Sequence, residues 1–281
     1  MIGSIYGLIA MGYSLIYSAS GLLSFTQGEL LMFGAFLGLT FYKYANLPFV
    51  ISIALTIAIM FMVGVFIESF IIRKLVKAKA NLIFIVLATI ALSIVLKNFA
   101  MLVWGSNVFQ FPQIFKTGFV KIGDVNVDPT SIMAIVVAFI AMLILHFFMN
   151  KTRFGTSMRA AAQNPLAAKT MAINVSRTTY VTWGLASALA GIAGFLIGPV
   201  YGVHLEMGTM IGLKGFAAAV IGGYGNMYGA IIGSFIIGIV ETFTAAYISS
   251  IYKDVISFLV LIAFLILKPR GIFNSKVYDE E

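Results

Sequence analysis

Residues 48–72 read PFVISIALTIAIMFMVGVFIESFII. The run carries one charge, Glu68, and exceeds the ~20 apolar residues that one membrane crossing takes. It lacks strict alternation, so it reads as a helix rather than a barrel strand. Directly after it comes RKLVKAK, residues 73–79, with Arg73, Lys74, Lys77 and Lys79 and no acid. An apolar run ending in a basic cluster predicts a transmembrane helix whose C-terminal end lies in the cytoplasm.

The rest of the chain repeats this pattern. Further apolar runs cover 1–18, 28–45, 82–103, 131–149, 178–200, 209–224, 227–247 and 252–268. The runs at 28–45 and 209–224 are short and Gly-rich and read as half-helices, so eight and nine crossings both stay open. Apolar residues make up 61% of the 281 and charged ones 10%, against about half and a quarter in a soluble domain. That balance excludes a soluble globule and a disordered chain. The expected fold is all-α: a polytopic transmembrane bundle of eight or nine spans with broken half-helices, in one integral-membrane domain over 1–281. No Lys or Arg precedes Lys43, so residues 1–18 are expected to be a retained first span and not a signal peptide.

Charge sets the orientation. Residues 151–177 carry Lys151, Arg153, Arg159, Lys169 and Arg177 without an acid, and the tail has Lys268, Arg270 and Lys276 ahead of Asp279, Glu280 and Glu281. With 73–79 these hold most of the 18 basic residues and mark the cytoplasmic side. The net charge of +8 therefore reflects topology, not nucleic-acid binding. The 104–130 loop sets Lys116 and Lys121 against Asp124 and Asp128 and is expected outside, as is the N-terminus. Within it, Val120-Lys121-Ile122 and Val125-Asn126-Val127 flank Gly123-Asp124, which suggests a hairpin or else an irregular loop.

Glycines at Gly3/Gly7, Gly34/Gly38, Gly194/Gly198, Gly208/Gly212, Gly225/Gly229 and Gly229/Gly233 suit close helix packing. Their concentration after residue 184 predicts a compact second-half bundle with a dimer contact. Residues 1–45 and 178–224 share one plan: span, break, a Glu (Glu29 or Glu206), then a Gly-rich half-span. Interrupted segments at matching places predict inverted repeats with the pathway between them.

Charges inside spans are costly and often functional. Glu29 either caps the helix it opens or lines the pathway. Glu68 and Lys97, nearer span ends, read as structural. Glu206 and Lys214 are expected on the external side, touching a partner or each other. Glu241, mid-span, is the candidate for an interior polar contact, and Lys253-Asp254 for a local pair. The pathway residues assigned from these considerations and the motifs below are Gln27, Gly28, Glu29, Lys214, Phe216 and Glu241. No Cys is present, and His146 and His204 are far apart, so neither thiol chemistry nor a His-rich metal site is expected. No carboxylate pair or His partner has catalytic spacing, so no catalytic residue is assigned.

The longest basic connection, KTRFGTSMRAAAQNPLAAKTMAINVSR at 151–177, predicts one or two short helices broken at Asn164-Pro165. Thr156 or Ser157 is expected to cap the first, and Pro165 to open the second. A short Ala-rich helix suits a partner's groove. A basic loop held against anionic lipid is the other reading of the same residues.

This loop resembles the EAA-like coupling segment of ABC importer membrane subunits, as found in branched-chain amino acid permeases of the LivH type. The resemblance runs through Gly155, Arg159, Ala160, Ala162, Asn164, Ala168 and Ile173-Asn174. Gly12-Tyr13 to Gly21 with Phe25, Gly28-Glu29 and Gly34 is similar to that family's first-half signature. Lys214-Phe216-Ala217-Ala218-Ala219-Val220 with Gly222-Gly223-Gly225 and Gly229-Ala230 is similar to its second-half one. Tyr252-Lys253-Asp254 and Pro269-Arg270-Gly271-Ile272 also fit. The chain departs at Ser24-Phe25-Thr26-Gln27, where the family often has Asn-Phe-Ala-His, and at Ala172, often Gly. It also lacks the usual lead-in before the first span, which suggests a late start or a trimmed N-terminus.

The resemblance implies a permease subunit of an ATP-driven importer in a bacterial or archaeal cytoplasmic membrane. It implies a second related permease or a second copy as partner, two cytoplasmic ATPases and a periplasmic or lipid-anchored binding protein delivering leucine, isoleucine or valine. The coupling residues would be Gly155, Arg159, Ala160, Ala161, Ala162, Asn164, Pro165, Ala168, Ile173 and Asn174. The chain contains no Gly-x-x-x-x-Gly-Lys-Ser/Thr run, so no cofactor of its own is expected and ATP would be used by its partners. A permease for urea, an amide or another amino acid is the nearest alternative, then a stand-alone secondary transporter. A membrane-embedded enzyme is disfavoured.

Overall fold

The computed structural model describes residues 1–112, 114, 118, 120–122 and 125–273. Every apolar run becomes a helix, as a backbone in lipid must bond within its own segment. Helix α1 (Ile2–Ser20) leads through a short break to α2 (Gln27–Leu39), extended by a π-helical turn, Thr40–Tyr44. Helix α3 (Phe49–Ile67) continues through a π-helical turn, Glu68–Ile72, into α4 (Arg73–Lys77). Helix α5 (Leu82–Trp104) precedes the strands β1 (Val120–Ile122) and β2 (Val125–Val127). Then come α6 (Pro129–Lys151), α7 (Arg153–Gln163), α8 (Pro165–Thr170) and α9 (Val175–Tyr201). Helices α10 (Met207–Gly222), α11 (Met227–Tyr247) and α12 (Lys253–Leu267) close the chain.

Among the described residues, six helices are long and apolar enough to cross a membrane: α1, Phe49–Lys77, α5, α6, α9 and α11. The expected half-helices, α2 and α10, are shorter. β1 and β2 pair antiparallel, with Val120 opposite Val127, so the predicted hairpin forms. Its Gly123-Asp124 turn lies outside the described residues, as do Lys116 and the tail from 274, including Lys276, Asp279, Glu280 and Glu281.

The bundle is layered. Helices α1, α2 and α9 form its centre, with α10 and α11 against them; 89% of the most apolar window of α9 is buried, against 17% in α5. Phe84, Val95 and Leu102 on α5 are more than half exposed, like Met62 on α3 and Ile144 on α6. Such an apolar exterior is a liability in water and the expected outer surface in lipid.

The glycines act inside this layering. Gly34 meets the backbone of Gly191, Gly194 meets Leu31, and Gly238 meets Gly3. These contacts join the first half of the chain to the second, and only some, such as Gly222 on Gly229, lie within the second half. Of the compact bundle expected in the second half, α10, α11 and α12 do pack on one another, while α9 packs on α1, α2 and α3 of the first half. The glycines of these pairs are spent on contacts within the chain, which also removes the argument for a Gly-based dimer contact.

The partners exchange in pairs. Helix α2 packs on α9 as α10 packs on α1, α3 on α9 as α11 on α1, and α5 on α2 as α12 on α10. Tyr17, late in α1, packs edge-on against Tyr224 beside the start of α11, where Tyr228 bonds Asn150, so α1 runs toward the end that carries the basic segments. Helix α9 starts at that end, where Arg73 lies over Tyr180, and leaves it to pair Val203 with Phe109. The two halves therefore run in opposite senses, the arrangement expected of inverted repeats.

Candidate functional site: a cleft between two half-helices

The first turns of α2 and α10 cross near the middle of the bundle. Gly28 lies on the backbone of Gly208 and Gly212, and a Cβ at Gly28 would strike the Gly208 carbonyl. Only glycine lets two helix N-termini approach this closely. Neither terminus is capped by a side chain: Thr26 and Glu206, at the two N-cap positions, make no capping bond. Two helix starts without side-chain caps thus lie side by side at this crossing.

Next to this crossing is a cleft of about 280 Å³, bordered by Tyr13, Phe25, Gly28, Glu29, Ile90, Ile94, Lys97, Thr209 and Leu213. Glu29 Oε1 accepts a 3.0 Å bond from the Thr209 hydroxyl, while Oε2 is buried with no protein partner. Gln27 is fully buried, and neither its Oε1 nor its Nε2 has a partner. A second cleft of about 600 Å³ adjoins the first, shares Ile94 and Lys97, and reaches Val108 and His204. Lys97 donates to Glu206 Oε1 at 2.6 Å where the clefts meet. Toward the basic end the space is closed by rings: Tyr13 on Phe216 at 5.7 Å, Phe25 on Phe216 at 5.4 Å and Phe216 on Tyr224 at 5.6 Å.

The remaining intramembrane charges form a separate cluster. Glu241 accepts from Tyr6 OH at 2.7 Å through Oε2 and from Lys214 Nζ at 2.7 Å through Oε1. Lys214 also pairs with Asp254 at 2.5 Å, and Lys253 is 3.9 Å from Glu241. The interior contact expected of Glu241 is present. Lys214 and Glu206 do not touch each other, because Lys214 turns inward to α11 and α12 while Glu206 finds Lys97. Asp254 bonds Lys214 rather than its neighbour Lys253. Of the assigned pathway residues, Gly28 and Glu29 line the cleft, Gln27 lies buried beside it and Phe216 belongs to its aromatic floor. Lys214 and Glu241 belong to the ion cluster.

The 151–177 segment folds as α7 and α8. Thr152, not Thr156 or Ser157, caps α7: its Oγ1 accepts from Gly155 N–H at 3.0 Å. Thr156 and Ser157 already lie within the helix, and their hydroxyls donate back to the carbonyls of Thr152 and Arg153. Gly155 packs on the backbone of Phe148 and Met149, where a side chain has no room. Asn164 Oδ1 caps α8, accepting from Leu166 and Ala167 at 3.0 Å each, with Pro165 in the first turn. Asn174 Oδ1 caps α9 through Arg177 N–H, and Ile173 N–H bonds the Ala168 carbonyl. Ala161 and Ala168 are buried, Ala160 and Ala162 are half-buried, and Arg159 faces outward. Arg159 donates to Asn150 Oδ1 at 2.8 Å, and Asn150 donates to Tyr228 OH at 3.1 Å, which ties α7 to α6 and α11. Leu166 and Met171 remain more than 70% exposed.

Several of these partners carry no sequence signal. Tyr6 and Glu241 lie 235 residues apart, Lys97 and Glu206 109, and Glu29 and Thr209 180. Local spacing cannot bring them together. Among the described residues no group of His, Cys, Asp or Glu is arranged to hold a metal ion.

Residues 1–265 match the family described as branched-chain amino acid transport system / permease component. The chain is 35% identical to the high-affinity branched-chain amino acid transport system permease protein LivH of Escherichia coli K12, over 97% of this chain and 92% of that one. Identity to the LivH of Salmonella typhimurium is 34% over the same shares. To the BraD permease protein of Pseudomonas aeruginosa it is 32%, again over 97% and 92%. No solved structure matches the chain.

Proposed function

Because the chain belongs to the family of branched-chain amino acid transport permeases, a multi-pass membrane protein of a multi-component transport system, we propose that it imports leucine, isoleucine and valine across the cytoplasmic membrane as one permease subunit of an ATP-driven complex. The observation that carries the ATP-driven part is the α7–α8 surface. It is exposed, apolar at Leu166 and Met171, built on helices capped at Thr152 and Asn164, and tied to the bundle through Arg159, Asn150 and Tyr228. Such a rigid apolar knob is suited to a groove on another protein. The sequence has no phosphate-binding loop, so the energy would enter here from two cytoplasmic ATPases.

A second permease, either a related chain or another copy, would cover part of the exposed α5 face and complete the pathway. A binding protein outside would deliver the substrate to the end where Phe109 meets Val203. Motion of α7 would pass through Arg159, Asn150 and Tyr228 to α6 and α11, and rock the two inverted halves about the crossing of α2 and α10.

The test is reconstitution. The chain is placed in liposomes with its partner permease, ATPases and binding protein, and uptake of labelled leucine is followed. Uptake that requires ATP and is competed by isoleucine and valine is expected. Uptake in the absence of ATP hydrolysis would overturn the ATP-driven reading, and competition by urea or an amide but not by valine would overturn the substrate.

A further inference from the structure

The cleft at the crossing of α2 and α10 offers an unusual set of unused polar groups. Glu29 Oε2 is buried, lines the cleft and has no protein partner. Helix α10, sixteen residues long, has no side-chain cap, and Gly208 and Thr209 of its first turn border the same cleft. The remaining lining is mostly apolar, with Phe25, Ile90, Ile94 and Leu213, alongside Ser93 and Lys97, whose charge is paired with Glu206. The space, about 280 Å³, suits one small molecule and not a peptide.

We infer that this cleft binds the zwitterionic end of an α-amino acid with an apolar side chain, the ammonium on Glu29 Oε2 and the carboxylate on the open first turn of α10. This assignment rests on the permease reading above and gives the site at which the substrate pauses inside the membrane. Helix N-termini favour carboxylates, since their free N–H groups and the helix dipole both attract an anion. A buried carboxylate with one free oxygen favours a cation that brings its own donors. The two charges of an α-amino acid are joined through one carbon, as the two receptors here are joined in one crossing. A sugar or other neutral polyol matches the cleft poorly. It needs several free hydroxyl partners, and of the three hydroxyls lining the cleft Thr209 is engaged with Glu29 and Ser93 with the Ile90 carbonyl, which leaves Tyr13.

The chain has no cysteine, so one introduced thiol reports on the site. Ser93→Cys stands at the edge of the cleft on α5. The full chain carrying this change, assembled with its partner permease and ATPases but without binding protein, is labelled with a maleimide. L-Leucine is expected to slow labelling several-fold, and 4-methylpentanoate, which lacks the ammonium, and isopentylamine, which lacks the carboxylate, to slow it little. Adding Glu29→Gln is expected to abolish the protection. Protection that survives Glu29→Gln, equal protection by either analogue, or no protection by leucine overturns the site. Should Glu29→Gln fail to assemble, Leu213→Trp, which fills the apolar half and leaves Glu29 in place, must remove the protection instead. ATP-driven uptake by the unmodified complex separates the two readings: uptake without protection overturns the site alone, and loss of uptake overturns the permease reading.

Discussion

Ala172 has φ 58, a left-handed conformation in which a Cβ crowds the following carbonyl. It ends the α8 turn, where the Ala172 N–H bonds the Lys169 carbonyl and lets Ile173 reach Ala168. This is the position in the loop where the chain departs from the Gly that the family often has, and the backbone supplies the reason. Ala172→Gly is expected to stabilise the fold by about 0.5–1 kcal/mol, net of the extra chain entropy that glycine loses. Thermal unfolding in detergent checks it, with the midpoint rising by about 2 °C. The Tyr6–Glu241–Lys214–Asp254 cluster works in the opposite direction. Lys214 is 4% exposed and Glu241 2%, so removing Lys214 leaves Glu241 buried with only Lys253, 3.9 Å away, as counter-charge. Lys214→Met alone is expected to cost about 3–5 kcal/mol. The double change Lys214→Met with Glu241→Gln should recover a large part of that. A double variant as unstable as the single would show that packing, and not charge pairing, dominates at this site.

At the scale of elements, α7 and α8 show what the sequence could and could not announce. The break at Asn164-Pro165 was legible, since Pro165 suits a first turn and Asn is a good cap. The first cap was not: three candidate hydroxyls, Thr152, Thr156 and Ser157, stand within six residues, and only the packing of Gly155 on Phe148 and Met149 selects Thr152. The same packing sorts the alanines. On sequence alone, a bulky acidic residue at Arg159 or Ala161 is expected to uncouple transport in a folded protein. Ala161 is buried at 2% exposure, so Ala161→Glu instead buries a charge and is expected to lower the yield of folded protein. Leu166, 74% exposed, is the cleaner probe of docking. Leu166→Glu should leave the thermal midpoint within about 1 °C, since exposed substitutions shift stability by about 0.5 kcal/mol or less, and cut ATP-driven uptake at least tenfold. Wild-type uptake in this variant would remove α8 from the coupling surface. The aromatic floor of the cleft makes the corresponding prediction for α10. Phe216 touches Tyr13, Phe25 and Tyr224, so Phe216→Ala opens the closure toward the basic end. Leucine leak across liposomes in the absence of ATP should rise several-fold, and an unchanged leak would show that the rings pack without sealing.

At the scale of the whole molecule, the all-α bundle and its helices were legible because lipid enforces simple rules: long apolar runs, internal backbone bonding and Lys or Arg at one end. The crossing of α2 and α10 was legible only as two Gly-rich interruptions; that they touch, and that Glu29 finds Thr209, depends on folding the two halves against each other. The antiparallel relation of those halves also fixes a topology that can be read directly. Basic segments after α3 and α6 meet at one end, where Arg73 lies over Tyr180 and Asn150 bonds Tyr228, while Phe109 and Val203 meet at the other. A chain without cysteine allows single thiols to be placed at each end. Leu166→Cys lies on the basic end and Val108→Cys, 68% exposed, on the opposite one. In whole cells, a membrane-impermeant maleimide should label Val108→Cys and spare Leu166→Cys, and in inside-out vesicles the pattern should reverse. Between these positions lies one long helix, α6, so labelling of both thiols from one side would break the inverted arrangement and with it the pathway between the halves. Opposite labelling would place α7 and α8 on the side where ATP is found, and the mouth near Val108 on the side from which substrate arrives.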